Sequence, residues 1–176
     1  MSKALIVIDV QNHFAVEKAA DLPNKIADYI KSSSYDHVLF TLFRNDPSSN
    51  FHKILYWHKA MTKPGISIHP LLEAFTNSSN TFEKLTYSAF KAPEFVDYLR
   101  EHKVTDLDIC GINIDGCVLA TAYEAFDLGF KVKILEELSS VASFRQDYED
   151  AAKTIITRNL KRKVKNYNSA DANHFG

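Results

Sequence analysis

The chain has 176 residues, 45% of them hydrophobic and 24% charged, with 21 basic and 22 acidic side chains for a formal net charge of -1. That length fits one domain over residues 1–176 with enough interior to fold unaided. The balanced charge argues against a general polyanion or membrane-surface binder, and two cysteines are too few for a disulfide scaffold.

The segments alternate. Residues 4–8 (ALIVI) are continuous and apolar, as expected of a strand buried on both faces. Residues 22–32 space Leu22, Ile26, Tyr29 and Ile30 helically, with Asp21 as the expected N-cap. Residues 37–43 (HVLFTLF) read as a second buried strand, 46–50 as a turn, 51–58 as a helix and 61–79 as loop. A short strand follows at 81–84, then a helix at 93–102 with Pro93 in its first turn. Residues 106–111 form a strand, 115–127 a helix stopped at Gly129, 130–135 a strand and 146–159 a helix, with a last strand expected near 163–164. No apolar run approaches the about 20 residues that cross a bilayer. The run at 4–8 is also too short for a secretory leader, so a cytoplasmic protein with reduced cysteines is expected.

Strand–helix alternation implies a parallel sheet with helices on both faces. Ligands in such folds sit beyond the carboxyl ends of the strands. The residues standing there are Asp9, Arg44, Lys84 and the segment Gly111 to Cys117. Each has an ordinary structural reading. Asp9 would cap a turn, with Gln11 or an ammonium as its donor. Lys84 would be a solvated strand end beside Glu83, and Cys117 a small buried apolar residue. Against the last stands its place at a helix start, where orphan N–H groups favour a thiolate. Cys110, inside a strand, reads as core. Together, a thiol, a carboxylate and an ammonium are the parts for covalent acyl transfer.

Three ordered blocks carry a resemblance: Asp9-x-Gln11-x-x-Phe14, Lys84-x-x-Tyr87-Ser88-x-Phe90, and Gly111-Ile112-x-x-Asp115-x-Cys117-Val118. The chain resembles the isochorismatase-like cysteine hydrolases, which include nicotinamidases and related amidases. The resemblance implies a doubly wound α/β fold with a six-stranded parallel sheet flanked by helices. It also implies Cys117 as nucleophile, Asp9 as general base and then acid, and Lys84 as electrostatic organiser. The backbone N–H groups of Asn113 and Cys117 would form the oxyanion hole, with a cis peptide at Ile112–Asn113. A homo-oligomer, dimer or tetramer, is implied as well. The chain departs from the family at Ile114, where Thr is frequent. It departs again at Arg44-Asn45-Asp46, where nicotinamidases carry an Asp-x-His metal segment.

His52, His58 and His69 remain as metal candidates, but a pair six residues apart on a helix points to different sides. No metal and no cofactor are therefore expected. Phe14, Arg44, Trp57 and Phe90 are the candidate substrate-pocket residues. The basic run at 161–165 reads as a protected sheet edge rather than a nucleic-acid contact, and the polar tail 167–176 as loose or subunit-packed. The expected activity is hydrolysis of a small-molecule amide or related acyl bond through a thioester. The competing readings are a non-catalytic scaffold and a redox thiol.

Overall fold

The computed structural model describes residues 2–161. Five parallel strands form its sheet, in the order β3-β2-β1-β4-β5. They are β1 (Ser2–Ile8), β2 (His37–Phe43), β3 (Thr81–Lys84), β4 (Val104–Ile112) and β5 (Lys131–Ser140). The chain winds outward from β1 to β3, crosses to the other side of β1, and winds outward again through β4 and β5. The carboxyl ends of β1 and β4 therefore flank the point where the winding reverses.

The alternation of β1 explains the layers. Ala4, Ile6 and Ile8 face the α3 (Pro93–Glu101), α4 (Leu119–Asp127) and α5 (Gln146–Asn159) side, against Phe95, Ala122 and Ile156 among others. Leu5 and Val7 face α1 (Leu22–Ser32), against Leu22 and Ile26. Both faces of β1 are buried, which is why its sequence is apolar throughout rather than alternating.

Several expectations are revised. The sixth strand, at 163–164, lies outside the described residues, as do the tail and most of the basic run. Asp21 makes no side-chain cap; it pairs instead with Lys25 at 3.6 Å. The helix expected at 51–58 is only the single turn α2 (Asn50–Lys53). Beyond it the buried Asn45 amide holds the carbonyls of Trp57 (2.6 Å) and Lys59 (3.1 Å), and Tyr56 is left-handed at φ 53°. That segment is thus pinned as an irregular strap. Strand β5 runs five residues past its expected end, through Glu136 and Glu137, because its pairing with β4 slips register opposite 109–111.

Gly111 makes the β1–β4 contact possible. Its φ is +122°, and a Cβ there would stand 2.1 Å from the Ile8 carbonyl oxygen. No other residue type fits so close an approach of two backbones.

Candidate active site

Asp9 follows β1 directly, in the left-handed region at φ 51°, and is 1% exposed. Its two carboxylate oxygens have separate partners. Thr41, beside the end of β1 on β2, donates its hydroxyl to Oδ1 at 2.7 Å. Lys84, the last residue of β3, donates its ammonium to Oδ2 at 2.7 Å and to the Thr86 carbonyl at 2.8 Å. Three adjacent strands thus deliver one hydrogen-bonded cluster. Gln11 is not a donor to Asp9: its side-chain amide spans the Phe43 and Ile66 carbonyls and takes the Phe43 N–H, tying the loop after β1 to the end of β2. Glu83 is not the partner of Lys84 either, since it faces Arg44 on the surface at 3.4 Å.

Cys117 stands in a wide π-type turn, Ile114–Val118, which precedes α4 and replaces the first turn of the helix expected at 115–127. The Ile112–Asn113 peptide is cis. The Asn113 carbonyl accepts the Gly116 and Val118 amides at 3.0 and 3.1 Å, passing over that of Cys117 between them. The Asn113 side chain takes the Ala142 N–H at 2.6 Å, tying this turn to the loop after β5. The Cys117 thiol lies within electrostatic reach of both Asp9 and Lys84.

The electrostatics correct one expectation. The thiol is not biased toward thiolate: burial, and then the Asp9 carboxylate, push it up to about 12, against the opposing pull of Lys84. An enclosed sulfur beside a carboxylate outweighs the turn's backbone dipoles. Lys84 is governed differently. Burial alone would lower it, but Asp9 and then the Cys117 sulfur hold its ammonium above the ordinary lysine value. Burial likewise pushes the fully enclosed Cys110 thiol far up, in keeping with a core residue.

Cys117 opens onto a cavity of about 570 Å³. Phe14 and Trp57, both expected there, line it with nearly parallel rings, 15° apart with centroids at 6.4 Å. Phe90 does not reach it; the ring is 93% buried in the core against Phe95 and Phe130. Arg44 is exposed and turned to Glu83, outside the lining. Sequence reasoning did not single out His13, Phe43 and Lys59 as pocket residues, nor Thr41 as the partner of Asp9. For Thr41 a signal existed: it is the one polar residue within the apolar run 38–43.

Comparison with known proteins places this geometry in a family. The isochorismatase domain model matches residues 3–161. The chain belongs to the isochorismatase family. It is 31% identical over 163 residues to the nicotinamidase/pyrazinamidase of Mycobacterium tuberculosis, covering 80% of this chain and 88% of that protein. The structure of nicotinamidase PncA from Bacillus subtilis superposes with a TM-score of 0.75 at 26% identity, covering 91% of this chain and 97% of that one. The pyrazinamidase of Pyrococcus horikoshii, solved in complex with zinc, gives 0.72 at 21% identity, covering 91% and 97%. The protein is thus an isochorismatase-family hydrolase.

Its residues after β2 do not suit such a metal. Arg44 is a cation, Asn45 is spent on the strap and the Ser49 hydroxyl, and Asp46 accepts from Ser48 within its own turn. The His52 and His58 rings meet edge to face at 4.2 Å, brought together by the strap rather than by a helix. Among the described residues no third His, Cys, Asp or Glu joins them. No helix there is long and apolar enough to cross a membrane.

Proposed function

We propose that this protein hydrolyses a small-molecule carboxamide through a thioester on Cys117. The observation that carries the reading is the buried Lys84–Asp9 pair, at 2.7 Å, set against a cysteine that opens into an aromatic-walled cavity. A solvent-excluded ion pair is costly to build for stability alone, so its place beside a nucleophile speaks for chemistry.

In this reading the thiol rests protonated. When a substrate carbonyl fills the cavity, the Asp9 carboxylate takes the thiol proton as sulfur forms its bond to the carbonyl carbon. Lys84 stabilises the sulfur's developing charge, and the Asn113 and Cys117 N–H groups receive the oxyanion. Collapse breaks the C–N bond, with the Asp9 proton passing to the leaving ammonia or amine. Asp9, again a carboxylate, then draws a proton from water as that water attacks the thioester. The carboxylic acid leaves, and the proton returns to sulfur. Every proton is shuttled by one carboxylate and no oxidant or metal enters.

The flat walls formed by Phe14 and Trp57 suit a planar acyl group, in keeping with the nicotinamidase and pyrazinamidase names of the relatives. The redox-thiol reading gains nothing from the site, because oxidation follows thiolate character and this thiol is held protonated. A panel of small carboxamides scored for ammonia release, with Cys117→Ala alongside, tests the proposal. Release by the wild type and none by the variant is expected; equal release by both, or by neither, would overturn it.

A further inference from the structure

We infer that the cavity selects amides whose acyl portion carries an anionic substituent, and that Lys59 is the residue that recognises it. This rests on the amidase reading of the same pocket and goes beyond it by naming the substrate's charge.

The cavity wall is mostly aromatic and aliphatic, and its two cationic or basic side chains, Lys59 and His13, lie close enough for the Lys59 charge to act on the His13 ring. The strap that bears Lys59 is a built element. The buried Asn45 side chain bonds the carbonyls of Trp57 and Lys59, and its backbone N–H bonds that of Ala60 at 2.8 Å. Pinning those carbonyls presents Trp57 and, two residues on, Lys59 to the same cavity. Among the described residues Lys59 forms no ion pair, whereas Lys84, which is not part of the lining, is paired with Asp9.

His13 supports the same direction. Its ring sits edge-on to Phe14 at 4.9 Å and Trp57 at 5.9 Å. Burial and the nearby Lys59 charge hold it below its ordinary value, so it offers a neutral hydrogen-bonding edge beside a full cation. The one acidic lining residue, Glu17, opens the short turn Glu17–Ala19, whose next residue Lys18 reaches Gln146 and Glu149 of α5. Lys59 thus brings a full cation to the cavity beside a neutral ring, and an anion on the substrate is drawn toward the strap.

Trp57 is the only tryptophan in the chain, so its fluorescence reports occupancy without turnover. Full-length Cys117→Ala protein is titrated with benzamide, 3-carbamoylbenzoate and 4-carbamoylbenzoate at low salt. At least one carbamoylbenzoate should bind about two- to fivefold more tightly than benzamide, as expected for a single partly exposed ion pair. Lys59→Met should erase the preference, Lys59→Arg should keep it and added salt should weaken it. Equal affinities, quenching by none of the three, or a preference that survives Lys59→Met overturns the inference. A failure of the amidase reading would look different: the fluorescence preference would persist while wild-type protein released no ammonia.

Discussion

Lys84 Nζ lies 2.7 Å from Asp9 Oδ2 with both side chains withdrawn from solvent; Asp9 follows β1 and Lys84 ends β3, two strands separated in the sheet by β2. Among the described residues each has the other as its ion-pair partner. The pair therefore behaves as one unit, and its energetics can be tested apart from any reaction.

Removing one partner leaves a buried, uncompensated charge, at a cost of roughly 3–5 kcal/mol. For a chain of this size that corresponds to a melting temperature lower by about 6–20 °C. Asp9→Asn and Lys84→Met should each show such a fall. The double variant Asp9→Asn/Lys84→Met should regain part of it, because no lone charge remains. Calorimetric melting checks this, and additive losses would mean that the pair is not coupled as the geometry requires.

The raised thiol has a sign that can be checked. A thiol near 9 in the unfolded chain and pushed up to about 12 when folded keeps its proton in the native state after the unfolded state has lost it. The unfolded state then binds fewer protons, so stability must fall as pH rises from about 9 toward 12. Below pH 9 this contribution is fully present. The raised Lys84 acts in the same direction, at and above the ordinary lysine range. Melting curves against alkaline pH should therefore fall more steeply for wild type than for Cys117→Ala; parallel curves would refute the raised thiol.

Alkylation separates the cysteines by access and not by thiolate character. Iodoacetamide should modify Cys117, in the open cavity, and leave Cys110 untouched until the protein unfolds. The Cys117 rate should be below that of a free thiol at neutral pH and should climb with pH. Faster labelling of Cys110 in the native protein would contradict the placement of both residues.

The close crossing of β1 and β4 gives a purely steric prediction. Gly111→Ala would place a methyl group on the Ile8 backbone in a conformation that L-residues avoid. Loss of soluble folded protein is expected, read by circular dichroism and gel filtration. A well-folded Gly111→Ala would show that the β1–β4 approach is looser than described.

Much of this arrangement is legible in the residues. β2 and β3 and the helices α1 and α5 lie where period and turn residues place them, because each is a local pattern bounded by clear breakers. Asp9, Lys84 and Cys117 are marked by position, each at the carboxyl end of a strand or in the turn after it. What local pattern does not carry is the strap. Its helical-looking run at 51–58 is overruled by a single buried amide, Asn45, whose bonds lie 12 and 14 residues away. The same holds for pocket membership. Phe14 and Phe90 are alike as sequence, and only the packing of α3 against the sheet sends Phe90 into the core. The thiol's raised value was hidden for a related reason: it comes from burial and from the Asp9 carboxylate brought in from the end of β1, which together outweigh the helix-start position that the sequence advertises.

Chelation offers an independent check on the site after β2. With no third metal-capable side chain beside His52 and His58 among the described residues, dialysis against strong chelators should leave amide turnover unchanged. A loss restored by zinc, iron or manganese would show that a metal contributes.

The central claim, a thioester on Cys117, is tested most directly by trapping it. Wild-type protein turning over its best amide is quenched in acid within the first turnovers, digested, and the peptide holding Cys117 is weighed. A mass increase equal to the acyl group, located on Cys117 and absent both from Cys110 and from Cys117→Ala protein, is the predicted result. Turnover with no adduct on Cys117, together with a Cys117→Ala variant that still releases ammonia, would contradict it.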